Sequence, residues 1–539
     1  MTRHSRIVIA IIIAVLVISY LVIRFGRPSL NALTNPAIPA VQAKSANSFI
    51  QSIGINVHAY WWTPAQSAAY LNDLKDLHIH YIRDELVYPY ASYQQNNGYG
   101  SGWLERLQQF QQASISSEVI ANELIVSPTD VVNYVKQANQ VPGTISAVEG
   151  PNEVDFQCAP TGSTFTGQIF YPCPTTTWQA RTENYVMALK NAMKADSATR
   201  AVAITSPSII DLNTNSAVFA GQADSGNIHY YPYLQAANTT TISQQLNQAV
   251  HLYSAKPIIV SEEGYPTSVG SAGRPASETI QAEVLPAYLL TNYATGVKRT
   301  FLYQLVDDSN FSDFNGLISD TSGQKKPAFT ALKNLTALLN DDGANFSPNQ
   351  LRYQLSGATD GISSLLLQKS DGRFYLVLWQ KSLAESPTPL PGQTVNIKTI
   401  GIQFGDSIDS ASEFQPTTAA ASVQNFSQPT ELGTISVGSS PVVLEITPGA
   451  ASASSTNSGN GSPASTAKKT VKTPIIKKPI TNSTGSSVTT PPTAAPAQPP
   501  ASPDFVLPGA KNQPIQSWWE NISGFFSRSW QWLKHLFTA

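Results

Sequence analysis

Two stretches of this chain end in the same way, and together they leave few folds open. Ile145-Ser146-Ala147-Val148-Glu149 is a short apolar run that breaks at Gly150-Pro151 and then presents Asn152-Glu153. Lys256-Pro257-Ile258-Ile259-Val260-Ser261 runs likewise into Glu262-Glu263, with Gly264 directly after. Buried parallel strands read as continuous apolar runs, and Gly or Pro at their ends turns the chain outwards. Six further runs lie at 53–57, 80–83, 115–121, 201–205, in a strand that ends in 227–233, and at 300–305. Helix signals separate them: Thr63-Pro64 ahead of Leu71, Leu74 and Leu77; Leu104, Leu107 and Phe110; the cap Ser127-Pro128-Thr129-Asp130; and a last apolar stretch over 327–339. Alternating strands and helices predict βα units around a parallel sheet. Eight units in roughly 290 residues fit a (β/α)8 TIM barrel over 46–340. A doubly wound sheet is the structural alternative, but no Gly-rich phosphate loop follows the first strand.

The flanks differ in kind. Residues 7–23 are continuously apolar between Arg3/Arg6 and Arg24/Arg27, close to the length of about 20 residues that spans a bilayer. No small-residue cleavage site directly follows, so 1–27 is expected to be a retained transmembrane anchor rather than a cleaved signal, with 28–45 as a stalk. After the barrel, alternating strands at 361–368, 374–379, 394–397 and 441–446 predict a small β-sandwich over 341–447. Residues 448–513, rich in Ser, Thr, Pro, Gly and Ala, cannot bury a core and read as a disordered tether. In 514–539, Trp519, Ile522, Phe526, Trp530, Leu533 and Phe537 recur at helical spacing, predicting an amphipathic aromatic helix for a membrane surface or a partner protein.

Charged residues make up only 13% of the chain and the net charge is −2, which removes the basic field that nucleic acid requires. Cys158 and Cys173 are the only cysteines; a disulfide in an extracytoplasmic loop is the reading, and two buried free thiols the alternative. No Cys or His pattern has metal spacing, so no metal and no cofactor are expected.

Two carboxylates at strand ends on one barrel rim are what acid/base-assisted cleavage of a glycosidic bond requires. Here the residues carry a resemblance. Gly54-Ile55-Asn56-Val57-His58, residues 77–84, Glu149-Gly150-Pro151-Asn152-Glu153, His229-Tyr230-Tyr231 and Ser261-Glu262-Glu263-Gly264-Tyr265 together resemble the clan of retaining β-glycosidases built on TIM barrels, nearest to the glycoside hydrolase family 39-like and family 5-like groups. By that resemblance Glu153 is the acid/base, Glu262 the nucleophile and Asn152 the donor to the sugar 2-hydroxyl. It likewise makes Arg83 the cation that keeps the nucleophile ionised, Tyr231 its orienting hydroxyl and His229 a wall of the sugar subsite. His58, Tyr303 and Asn56 line the pocket or fill the barrel. Glu263 is the second candidate nucleophile, although strand alternation should turn it away; Glu149 is expected to be a buried acceptor. Trp61, Trp62 and Trp103 stand equally as sugar platforms or core. The resemblance departs at the eighth strand, where relatives carry a tryptophan and this chain has Phe301-Leu302-Tyr303-Gln304-Leu305. The expected activity is therefore hydrolysis of a β-linked polysaccharide or oligosaccharide, by a protein on the outer face of the cell membrane. The alternative is a catalytically silent cell-surface glycan-binding protein.

Overall fold

A computed structural model describes residues 38–86, 102–122, 126–157, 178–209, 221–231, 246, 248–249, 252–253, 256–267, 277–309, 314–343, 345–380, 397–438 and 440–449. The expected anchor at 1–27, the two cysteines, and the linker and aromatic tail from 450 onward lie outside the described residues. Among the described residues no helix is long and apolar enough to cross a membrane.

The barrel is present. Its strands are β3 (Ile53–Asn56), β4 (Tyr81–Glu85), β5 (Ser116–Ile120), β6 (Ile145–Glu149), β7 (Ala203–Thr205), β8 (Gly226–His229), β9 (Ile258–Glu263) and β10 (Arg299–Leu302). All pair in parallel in the order β7-β6-β5-β4-β3-β10-β9-β8. The first and last barrel strands meet where β10 pairs with β3 through Thr300 and Ile53, and the two ends of the sheet are joined by the bridge from Thr205 of β7 to Ser225, just before β8. Helices follow the strands as their caps dictate. Thr63 and Gln66 form a reciprocal capping box at α2 (Pro64–Asp76), with proline in its first turn. Ser127 accepts from the Asp130 amide at the start of α4 (Pro128–Ala138). Ser277 caps α7 (Glu278–Thr295), which ends on Gly296 at φ 97°. Among the described residues there are also α1 (Ala46–Ile50), α3 (Trp103–Gln112), α5 (Val154–Gln157), α6 (Trp178–Ala195), α8 (Pro327–Leu339) and a 3-10 turn at Ala59–Trp61.

The glycines behind both carboxylate stretches are sterically required. A Cβ on Gly150 would lie 2.8 Å from the Pro207 ring, and one on Gly264 would lie 2.4 Å from the Tyr303 carbonyl oxygen.

Two further sheets, antiparallel except where β2 (Lys44–Ser45) joins β12, have the orders β1 (Ala40–Gln42)-β11-β14-β17 and β16-β15-β18-β13-β12-β2. They comprise β11 (Gln350–Gly357), β12 (Ile362–Gln368), β13 (Phe374–Gln380), β14 (Lys398–Phe404), β15 (Ile408–Phe414), β16 (Gln424–Ser427), β17 (Glu431–Val437) and β18 (Val442–Pro448). Leu366, Leu376, Ile400, Ile402, Ile435 and Leu444 are among the apolar side chains buried together in this sandwich. The stalk expected over 28–45 needs correction at its end. Ala40–Gln42 forms β1, antiparallel to β11, and Lys44–Ser45 forms β2, parallel to β12. Strands this short carry no readable periodicity; they exist because the sheet edges offer unpaired backbone groups. The expected boundary at 340 is no gap in the packing. Leu365, Val377 and Trp379 of the sandwich share a buried cluster with the barrel helices, and Trp379 Nε1 donates to Thr291 Oγ1 at 3.0 Å.

Candidate active site

The site is built on Arg83, in the middle of β4 and 2% exposed. A guanidinium carries five donors in a fixed plane, and here they find carboxylates and amides from four other parts of the barrel. Nε and Nη2 form a two-pronged pair with Glu149 at 2.6 and 2.8 Å. Nη1 donates to Asn56 Oδ1 and to Glu262 Oε1, each at 2.8 Å, and Nη2 also reaches Asn152 Oδ1 at 2.7 Å. Asn56 is thus structural glue at the β3 end; its Nδ2 donates to the Ser261 carbonyl at 2.9 Å. Burial works against the arginine's charge, but Glu149 and Glu262 more than offset it and keep it ionised.

Glu262, near the end of β9, takes that bond on one oxygen and the Tyr231 hydroxyl on the other, at 2.7 Å. Burial raises its proton affinity, yet the charges of His229 and Arg83, with the Tyr231 and Arg83 hydrogen bonds, hold it below the usual carboxylate range. Glu262 stays an anion in a nearly water-free place. Its neighbour Glu263 has the opposite fate. Its side chain faces the helix layer, where Asn292 Nδ2 donates to it at 2.6 Å, and burial pushes its pKa up to about 8. Glu263 is therefore no candidate nucleophile. The barrel register slips on both sides of this segment, between Ile228 and His229 and between Thr300 and Leu302. Such an irregularity re-aims successive side chains, and it lets Ser261 as well as Glu262 reach His229.

Glu153 stands in the turn after β6 with φ 45°, a left-handed conformation that costs a residue with a Cβ roughly 1–2 kcal/mol. The Ser208 hydroxyl accepts from the Glu153 amide at 2.8 Å and lies 3.3 Å from Asn152 Oδ1. Glu153 keeps 21% of its side chain exposed against 11% for Glu262. One carboxylate thus looks outward and the other is enclosed. His229 Nδ1 sits between them, 2.8 Å from Glu153 Oε1 and 3.4 Å from Glu262 Oε2. Burial disfavours the imidazolium, but Glu262 and Glu153 outweigh it and raise the histidine's pKa.

Aromatic rings continue the site. Tyr303 lies 6.4 Å from Tyr231 and 6.2 Å from His58, both edge-on, and His58 lies 5.1 Å from Trp61. His58 and Tyr303 thereby extend the group of rings beside Tyr231, and Tyr303 follows the strand on which the resemblance led one to expect tryptophan. Trp62 packs on Tyr70 and Phe110, and Trp103 is buried with Nε1 on Asp84 Oδ2, so both belong to the core. Glu149 is the buried acceptor expected of it. Ser208 and Ser261 are the residues sequence reasoning missed; a lone serine beside a motif carries no signal of its own.

Glu153, His229 and Glu262 each offer a ligand atom within 4.8 Å of the others. Their proximity reads as an acid–base cluster rather than a metal site, because Arg83 already supplies positive charge to Glu262 and Tyr231 fills its second oxygen.

Comparison by sequence finds no matching family model and no matching curated protein. In structure the chain is similar to a family 39 glycoside hydrolase from Bacteroides cellulosilyticus WH2, a gut symbiont. That match has 12% identity over 75% of this chain and 82% of the other, at a TM-score of 0.49. A glucosidase from Croceicoccus marinus matches at 12% identity over 76% and 97%, also at 0.49. A family 30 subfamily 8 xylanase from Clostridium acetobutylicum matches at 11% over 77% and 98%, at 0.45. Likeness at this level concerns the course of the chain; what the site does rests on its own geometry.

Proposed function

We propose that the protein is a retaining glycoside hydrolase, membrane-tethered, acting on a β-linked polysaccharide or oligosaccharide. The observation that carries this is the pair Glu153–Glu262 at the C-terminal mouth of the barrel, each with one oxygen within 4.8 Å of the other's and both within 3.4 Å of the same His229 nitrogen, a closeness that suits the retaining arrangement. Retaining enzymes hold their two carboxyls about 5–5.5 Å apart, whereas inverting ones leave about 6.5–9.5 Å for a water. The division of labour follows from the environments. Glu262, ionised by Arg83 and Tyr231, attacks the anomeric carbon. The bond to the aglycone oxygen breaks, Glu153 gives that oxygen its proton, and a glycosyl ester forms on Glu262. Water then attacks the same carbon, loses its proton to Glu153, and frees Glu262. Asn152, its Oδ1 committed to Arg83, turns its amide nitrogen to the sugar, where a bond to the 2-hydroxyl strengthens in the transition state. The tether and the extracytoplasmic placement are supported by the apolar run at 7–23 and by Cys158 and Cys173.

The test is a depolymerisation and aryl-glycoside screen of wild type beside Glu153→Ala. On dinitrophenyl glycosides the variant should accumulate the glycosyl-enzyme, and azide should restore turnover as a β-glycosyl azide of retained configuration. An inverted azide would exchange the two roles. Glycan binding without turnover by wild type would favour the silent-binder reading.

A further inference from the structure

Hydrogen-bond bookkeeping around His229 points to a role beyond lining the pocket. The groups facing its ring are Glu153 from the turn after β6, Ser261 and Glu262 from β9, and Arg83 from β4. Both partners of Nδ1 are carboxylate oxygens, 2.8 and 3.4 Å away. Nε2 lies 2.9 Å from Ser261 Oγ, which can accept or donate. With Glu153 ionised and the ring charged, Nδ1–H faces both carboxylates; with Glu153 protonated, its O–H points at a bare Nδ1 and Nε2–H donates to Ser261. The two arrangements differ by one proton moved along a single 2.8 Å bond.

We propose that His229 and Glu153 form one acid/base unit, in which the proton given to the leaving oxygen and later taken from water is shared across the Nδ1–Oε1 bond. This rests on the glycosidase reading above. In the resting state the proton lies on the imidazole, between two carboxylates that would otherwise repel each other. It passes to Glu153 as the aglycone oxygen approaches, leaving neutral His229, and then to that oxygen as its bond to the sugar breaks. In the second half-reaction Glu153 takes a proton from the attacking water and returns it to Nδ1. His229 touches neither the anomeric carbon nor the leaving oxygen in this scheme; it is a positioning residue that holds the proton. The raised pKa of His229 accords with this placement.

Two measurements test it. The chain has seven histidines, few enough for ring-labelled NMR titration with His229 assigned by its absence in His229→Asn. Coupling of this kind predicts that Glu153→Gln lowers the His229 pKa by about one unit or more. An unchanged value, or a ring that stays neutral down to pH 5, overturns the proposal. In kinetics, His229→Asn should move the basic limb of kcat/KM towards acid by about one pH unit or more. A uniform loss of rate with the limb in place would show a merely structural histidine and overturn it too. The titration needs no turnover. A protein that cleaves no glycoside yet shows the coupling would therefore count against the glycosidase reading and for the pairing. If His229→Asn fails to fold, the Glu153→Gln titration decides.

Discussion

At the scale of single residues, Arg83 is the side chain on which the site depends most. It neutralises Glu149 and Glu262 together, and all three side chains are buried or nearly so. Arg83→Met strands two buried carboxylates, so chemical denaturation should show a loss of about 3–5 kcal/mol. Arg83→Lys keeps the charge but not the two-pronged geometry, and it is the more informative variant. Arg83 helps hold the Glu262 pKa down, so weakening it lets that pKa rise. The acidic limb of kcat/KM, which reports Glu262 losing its proton, should then move to higher pH; an unmoved limb would dissociate Arg83 from the nucleophile. Much of this was legible in the chain. Arg83, Asn152, Glu153, His229, Tyr231 and Glu262 all lie where strand ends were readable as apolar runs broken by glycine, proline or a polar cluster. Ser208 and Ser261 were not, because their roles come from a strained turn and a register slip that only the closed barrel creates.

At the scale of elements, β9 shows how one strand serves two layers. Glu262 faces the barrel mouth as an anion, and Glu263 faces α7 with its pKa near 8. The unfolded value is near 4.5, so the folded pKa is raised. The folded state therefore gains no penalty from this group below about pH 4.5, and loses stability as pH rises towards 8. The loss approaches about 1.4 kcal/mol per pH unit across that window. Glu263→Gln removes the titration, and its stability relative to wild type should climb from pH 5 to 8 in parallel urea unfolding. Identical slopes would place the buried proton elsewhere. Gly264 tests the same strand by sterics. Gly264→Ala drives a methyl into the Tyr303 carbonyl, and should cost about 1–3 kcal/mol while pushing Tyr303 out of line with Tyr231. The sandwich strands show where sequence reading runs out. β12, β13 and β18 coincide with expected strands, β11, β14, β15, β16 and β17 were not anticipated, and of the strand expected at 394–397 only Ile397, just before β14, lies among the described residues; β1 and β2, of three and two residues, exist only through pairing with distant partners.

At the scale of the whole molecule, the barrel and sandwich share buried side chains, so the sandwich acts first as part of the barrel's support. Trp379→Ala should cost about 3–5 kcal/mol, and calorimetry of the protein should show barrel and sandwich melting in one transition; a barrel that melts independently would contradict the shared core. Deleting residues 1–27 should release the protein from membranes, and a high-salt membrane fraction that still holds the truncated chain would move the anchor to the tail. The central claim is that Glu262 becomes covalently glycosylated across from Glu153. It is tested most directly by incubating the intact protein with dinitrophenyl 2-deoxy-2-fluoro-β-glycosides of the gluco and xylo series, followed by intact mass and peptide mapping. One equivalent of fluorosugar on the peptide carrying Glu262, absent in Glu262→Ala, is the predicted result. A label on Glu153 or Glu263, or none on a protein shown to cleave glycosides, would contradict the account.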